Sequence, residues 1–301
     1  MIKKIFLILL ICYGITSCKS SYTKIGDKNA NYIPYYLKVY EADSLYIVED
    51  YKRSYEILDS LFKKYEPINM EVYKEYETYL LTSHLTLQKK NKTDRLLKKS
   101  FLIYGSKYEF LENDTLFKNI ENKSKYKKND LLIFSKRYTN GLDLNLRRTI
   151  ENMVLIDKEI RLKIPIDNNL LAKVNKENSD KIKYIFNKYG YPSYEKIGYY
   201  DYNQKNISLE TVFLHCNADF NNTFLISKLK EYVKKGQCNP HFYGSILDKN
   251  TISQNKNQYF GTFQDAPLID SVNIDSIRKN IGLYSINYKK WRLKRKYGYE
   301  Y

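Results

Sequence analysis

From Pro34 onward the apolar positions recur at i, i+3, i+4 and i+7, the spacing that lines one face of an α-helix, and proline, glycine or asparagine punctuates the stretches. Leu37, Tyr40 and Leu45 mark a first helix. Tyr51–Tyr65 forms a second, with Tyr51, Tyr55, Leu58 and Phe62 on one face and Pro67 beyond its end. Val72–Leu87 forms a third, on Tyr73, Tyr76, Leu80 and Leu87, and Thr93–Tyr104 a fourth, closed by Gly105. The weakly apolar stretch Asn119–Asn140 reads as a boundary with one short helix on Leu131, Leu132 and Phe134. Beyond it, Asp143 caps a long helix, Leu144–Leu162, carrying Leu146, Ile150, Met153, Ile156 and Ile160 inward. Further helical patterns cover Asn178–Lys188, Ser208–Asp219, Asn221–Lys235, Pro240–Lys249 and Val272–Asn280. The expected fold is mainly α: a short N-terminal helical-hairpin repeat followed by an irregular α-helical domain. The expected segments are 34–118 for the hairpins, 119–142 for a linker, 143–290 for the second domain and 291–301 for a basic tail.

The second and fourth helices align at an offset of 39 residues, which sets Ser54 on Thr93, Leu58 on Leu97, Leu61 on Ser100 and Phe62 on Phe101. This resembles paired hairpins of the tetratricopeptide kind, in which each hairpin hides its apolar face only by stacking on the next. The resemblance implies either a groove for an envelope protein or peptide, or a spacer for another domain. His84, inside the third helix, reads as a packing or surface residue.

The start of the chain changes the picture. Lys3 and Lys4 precede the apolar run Ile5–Ile11, which is too short to span a bilayer as a mature helix, as in an export signal. Ile15-Thr16-Ser17-Cys18 resembles the lipobox of bacterial lipoproteins. That implies cleavage after residue 17, a lipid (palmitate among its chains) on Cys18, and a periplasmic or surface-facing place in the cell envelope. Residues 18–33 are polar and unpatterned, and read as a tether. The formal net charge is +17, and losing Lys3 and Lys4 leaves +15. In an exported protein such a charge favours membrane head groups or wall polymers over nucleic acid. The densest basic run, Lys289–Lys296, reads as either a solvated last segment or a membrane contact.

Of the four cysteines, Cys216 and Cys238 remain for a disulfide or for two separate thiols. No CxxC, HExxH, glycine-rich phosphate loop or GxSxG occurs, so neither a metal nor a cofactor is expected. In Ser208–Asp219, Leu209, Val212, Phe213 and Cys216 share one helical face, with His215 and Asp219 one turn apart on its shoulder. Asp157 and Arg161 are spaced to pair on the long helix. Gly190-Tyr191-Pro192-Ser193, His215 through Asp219, Asp248-Lys249, Gln258-Tyr259-Phe260-Gly261-Thr262 and Asn273 through Gly282-Leu283 occur in one order. Together they resemble a family of bacterial domains of unknown function, common in secreted and lipid-anchored proteins, over Ile150 to Tyr288. Lys158, Tyr191 and Lys249 depart from the family's usual glutamine, tryptophan and arginine. The resemblance implies a site location and no particular reaction. Two expectations follow. A binding or scaffolding lipoprotein would use these polar residues for packing. A hydrolase or lyase acting on an envelope glycan or peptide would use His215 as acid or base, Asp219 or Asp248 to orient it, and Gln258, Thr262 and Arg161 to hold the ligand.

Overall fold

A computed structural model describes residues 22–199, 209–263 and 266–298; Cys18 and the stretch expected to be an export signal lie outside the described residues. The fold is mainly α-helical. Among the described residues the only β pairings are the isolated bridges Thr23–Tyr65 and Gln258–Leu268, and no helix is long and apolar enough to cross a membrane.

Four helices open the fold: α1 (Ile33–Ile47), α2 (Tyr51–Phe62), α3 (Glu75–Leu87) and α4 (Lys90–Leu102). Pro34 sits in the first turn of α1, where its missing N–H costs nothing, and Asp50 caps α2 by accepting from Arg53 N at 3.2 Å. Each helix packs on the next. The helix starts of α2 and α4 are 39 residues apart, and the aligned positions Ser54 and Thr93, Leu58 and Leu97, and Leu61 and Ser100 are all buried.

The segment read as a linker is part of the core. Residues 119–142 hold the end of α6 (Thr115–Lys123) and all of α7 (Lys128–Asn140), which follow the one-turn α5 (Tyr108–Leu111). Phe117, Ile120, Leu131 and Phe134 are buried, and Ser124 donates to Asp94 of α4 at 2.5 Å. The lysines between these apolar positions sit on the outer face, which is why the stretch reads as weakly apolar.

The second half contains α8 (Leu144–Arg161), α9 (Asn168–Tyr189), α10 (Tyr194–Ile197), α11 (Leu209–Leu214), α12 (Ala218–Phe220), α13 (Ile226–Lys234), α14 (Pro240–Ile252), α15 (Ile274–Lys279) and α16 (Tyr288–Tyr297), with a π-helical turn at Asn221–Leu225 before α13. Asp143 caps α8 through Leu146 N at 2.9 Å, as its position predicts. The basic tail is helical and mostly solvated: residues 291–297 complete α16, which lies on α1, with Lys289, Lys290, Lys294, Arg295 and Lys296 exposed and Arg292 alone buried among its cations. There Arg292 Nε donates to Asp43 Oδ2 at 2.7 Å and Tyr288 Oη to the same oxygen at 2.5 Å, both charges nearly sealed from water.

Most of the expected tether is fixed too. Thr23 N donates to Lys64 O, Gly26 N to Lys235 O and Tyr32 N to Lys234 O, at 2.8–2.9 Å, and Tyr32 is fully buried. The backbone of residues 22–33 is therefore held by partners on the body, while its polar side chains Lys24, Asp27, Lys28, Asn29 and Asn31 face water.

Two consequences are measurable. Arg292→Met leaves Asp43 buried without its cation and lowers the unfolding free energy in urea by about 3 kcal/mol, whereas Asp43→Leu together with Arg292→Met recovers much of the loss. Glu75 is buried, its Oε1 accepting from Tyr35 Oη at 2.8 Å, and burial pushes its carboxyl up to about 7. The folded state thus holds a proton that the unfolded chain releases near 4.5, and stability falls as pH rises from about 4.5 to about 7, by roughly 3 kcal/mol. Melting temperatures of Glu75→Gln across pH 5 to 8 lose that slope; an unchanged slope assigns it elsewhere.

Candidate functional site

The chemistry-bearing residues fall into two polar networks and one cleft. The first network centres on Asp157, midway along α8 and fully buried. Its Oδ2 meets His215 Nδ1 at 2.7 Å, and Arg161 Nε reaches both carboxylate oxygens at 3.2 Å. Arg161 also donates to Asn175 Oδ1 of α9 at 2.8 Å, and Lys249 of α14 donates to Leu214 O, the last carbonyl of α11, at 2.5 Å. Burial by itself would raise the Asp157 carboxyl; the hydrogen bonds and charges of His215 and Arg161 outweigh it and hold it below the usual carboxylate range. Burial, with Arg161 nearby, pushes the Lys249 ammonium down. One carboxylate therefore ties α8, α9 and α11 together, with α14 closing over α11.

Asp219 takes no part in this network. The chain turns at His215 N to Val212 O and Cys216 N to Phe213 O, and Asn217 then starts α12 by accepting from Phe220 N at 2.8 Å. That new cap interrupts the helix expected over Ser208–Asp219, and Asp219 ends exposed on the far side of the break. Val212, Phe213 and Cys216 do face the core.

The second network is sealed. Asp248 Oδ1 accepts from Tyr259 N at 2.8 Å and Phe260 N at 3.0 Å, and its Oδ2 accepts from Thr262 N at 3.0 Å and Thr262 Oγ1 at 2.7 Å. Gln258 Nε2 donates to Phe263 O and Ala266 O while its Oε1 accepts from Phe263 N; Arg278 donates to Tyr284 O and Phe260 O. Asp248, Gln258 and Arg278 are all buried. Here Asp248 holds a loop by its backbone and does not orient His215. Gln258 and Thr262 close the same loop and are spent on it.

Cys216 and Cys238 are free, buried thiols, their Sγ atoms on Val212 O and Asn239 O. Burial pushes the Cys216 thiol up to about 11. No disulfide joins them, and among the described residues no three His, Cys, Asp or Glu side chains gather as a metal site.

The cleft was not foreseen from the sequence. It has a volume of about 170 Å³ and is walled by the joints between helices: Glu66–Lys74 before α3, Ile103–Lys107 after α4, Tyr138 and Thr139 of α7, Tyr191–Glu195 around the start of α10, Glu210 of α11, and Gly236–Asn239 before α14. Both halves of the chain contribute. Gly105, at φ +67°, lets the Tyr138 ring lie against it, where a Cβ would sit 2.6 Å from the ring. Ile68, Met70 and Phe242 give the cleft an apolar floor; Tyr104, Tyr138, Tyr194 and Tyr199 supply rings. None of His215, Asp157, Arg161, Asp219, Asp248, Gln258 or Thr262 lines it. The signal that could have found it is the clustering of glutamates beside Pro67 and Pro192 in an otherwise basic chain.

Comparison of the chain with protein-family models, curated proteins and solved structures finds no match.

Asp157→Asn tests the first network. It is expected to lower stability by about 2–4 kcal/mol at pH 7, since Arg161 loses its carboxylate counter-charge and His215 its carboxylate hydrogen-bond partner. The depressed carboxyl contributes above the unfolded value near 3.8 and its contribution is lost as pH falls through the lower folded one, so wild type and variant converge in acid. His215→Ala, at a side chain still 22% exposed, costs less. Urea titrations from pH 3 to 7 give both numbers.

Proposed function

We propose that this chain is a lipid-anchored binding protein of a bacterial cell envelope, holding an envelope peptide or glycan segment in the cleft between its hairpin helices and its C-terminal helices. The observation that carries the reading is the cleft itself: its walls come from both halves of the chain, and it combines an apolar floor, tyrosine rings and half-buried polar groups. On this reading α1–α4 are two tetratricopeptide-like hairpins that offer their ends, rather than an open groove, to the ligand. The Cys18 signature supports the anchor. Only three residues lie between Cys18 and Tyr22, a span of about 14 Å if fully extended, because the chain is docked from Thr23 onward. The body would then rest close to the bilayer, with the exposed Lys24, Lys28, Lys63, Lys64 and Lys234 near the attachment point, each worth about 1 kcal/mol against anionic lipid.

A hydrolase or lyase working through His215 has the Asp157–His215 hydrogen bond in its favour. Against it, Arg161 shares the same carboxylate and His215 does not line the cleft. Binding is therefore the reading we adopt.

Labelling cells with an alkyne fatty acid is expected to tag the wild type and leave Cys18→Ala unlabelled and washed from the membrane by carbonate; an unlabelled or freely soluble wild type ends the anchor. For the cleft, native mass spectrometry of the purified full chain with soluble envelope fragments is expected to show a ligand retained by wild type and Lys158→Ala but lost from Tyr138→Ala. Equal retention by all three ends the cleft reading.

A further inference from the structure

The inside of the cleft opposes the sign of the whole molecule. In a chain with a formal charge of +17, the described residues that line it carry the carboxylates of Glu66, Glu71, Glu195 and Glu210 against the ammonium groups of Lys74 and Lys107. Two of these carboxylates are committed elsewhere or peripheral: Glu66 accepts from Ile25 N at 3.0 Å, and Glu195 is exposed at the rim. Glu71 and Glu210 are half-buried and act on each other across the cleft from different halves of the chain. On the lining of the same cleft Ser193 is 4% exposed, at the position that would normally cap α10, yet its hydroxyl makes no capping bond and is buried with no hydrogen-bond partner among the described residues. An unpaired buried hydroxyl costs about 1–3 kcal/mol, so a folded chain that keeps one at the wall of a cleft leaves it for something that enters.

We propose that the cleft recognises a primary ammonium group, held between the carboxylates of Glu71 and Glu210 with the Ser193 hydroxyl as third acceptor; this rests on the binding reading above. An ammonium carries three N–H donors and no acceptor, and these three oxygens-bearing side chains match that need. The tyrosine rings around them add attraction for a cation, which a phosphate or carboxylate ligand would not feel. An anion would instead meet two carboxylates with Lys74 already drawn toward Glu71 and lying 5.9 Å from the Tyr199 ring. The state of the empty site agrees: burial, then the charge of Glu71, pushes Glu210 up to about 6, and burial raises Glu71 against the Tyr199 hydrogen bond and Lys74. A bound cation favours the ionised form of both. Affinity is therefore highest above about pH 6 and is lost as pH falls through it and Glu210 takes up a proton.

An ammonium in the envelope can come from a peptide side chain or from an amino sugar, and the test separates them. The lipidated full chain in detergent is titrated calorimetrically with an acetyl-Ala-Lys-Ala-amide peptide and its Nε-acetylated counterpart, and with a glucosamine tetramer and its N-acetylated counterpart. In at least one pair the free amine is expected to bind about tenfold or more tighter than the acetylated form. Glu210→Gln and Glu71→Gln should each cost about tenfold, and Ser193→Ala about three- to fivefold, with unchanged melting profiles confirming folded variants. For the lysine peptide, whose amine stays charged, binding should weaken between pH 7.5 and 5.5 in wild type and not in Glu210→Gln. Equal binding of free and acetylated probes overturns the ammonium assignment and leaves the cleft reading standing. If neither free amine binds, the assignment is overturned as well; if in addition no envelope fragment is retained, the binding reading falls with it.

Discussion

The hydroxyl groups of the tyrosines on α1 hold this structure together. Tyr35, Tyr36 and Tyr40 are buried, and each hydroxyl reaches a different part of the chain: Tyr35 to Glu75 and Ile68, Tyr36 to Val233 O and Cys238 O at 3.0 and 3.1 Å, Tyr40 to Gly282 O at 3.0 Å. Gly282 just follows α15, so a phenol from a distant helix satisfies a carbonyl beyond a helix end; Val233 O, in the last turn of α13, accepts from Gly236 N as well as from Tyr36. Burial holds these phenols well above their ordinary range, so they remain protonated donors at any physiological pH. A phenylalanine would fill the same volume and take the phenolic donor from Cys238 O or Gly282 O, at about 1–3 kcal/mol each. The buried tyrosines of α1 thus bury area and supply a hydrogen-bond donor with one side chain.

Because α1 serves both halves, the division into a hairpin part and a C-terminal part describes sequence order better than mechanics. The Asp43–Arg292 pair repeats the theme at the other end of the helix, joining residues 249 positions apart. Nothing local announces such a contact. A run of lysines and arginines is what an exposed tail looks like, and only the partner's position reveals that one of the arginines is spent inside.

The helices were legible where one face alone decides them. Leu144–Arg161 begins and ends where its cap and periodicity place it, and the Asp157–Arg161 pair follows from spacing. By contrast α9 begins at Asn168, ten residues before its apolar pattern becomes convincing, because its first turns carry mostly exposed polar residues. His215 pairs with Asp157 and not with the Asp219 its spacing suggests: Asn217 is a strong cap, and reading it as one separates His215 from Asp219. Asp157 lies 58 residues away, a distance that periodicity cannot bridge. Asp248, Gln258 and Thr262 do converge, but on a loop backbone, since residues that satisfy a buried turn and residues that grip a ligand are the same types.

The cleft escaped notice for a related reason. It is built from joints, and joints have no period. Their backbone polar groups and glutamates come together only because α1 fixes how far the hairpins stand from α10, α11 and α14. Its edge is also the place where the start of the described chain docks: Ile25 lines it, Ile25 N is held by Glu66, and Gly26 is bonded to Lys235 beside the Gly236–Asn239 wall. The segment that leads back toward Cys18 is therefore part of the cleft's own frame. A pull on that segment reaches Glu66 and the Gly236 turn before it reaches any helix, because Ile25 N is bonded to Glu66 and Gly26 N to Lys235 O.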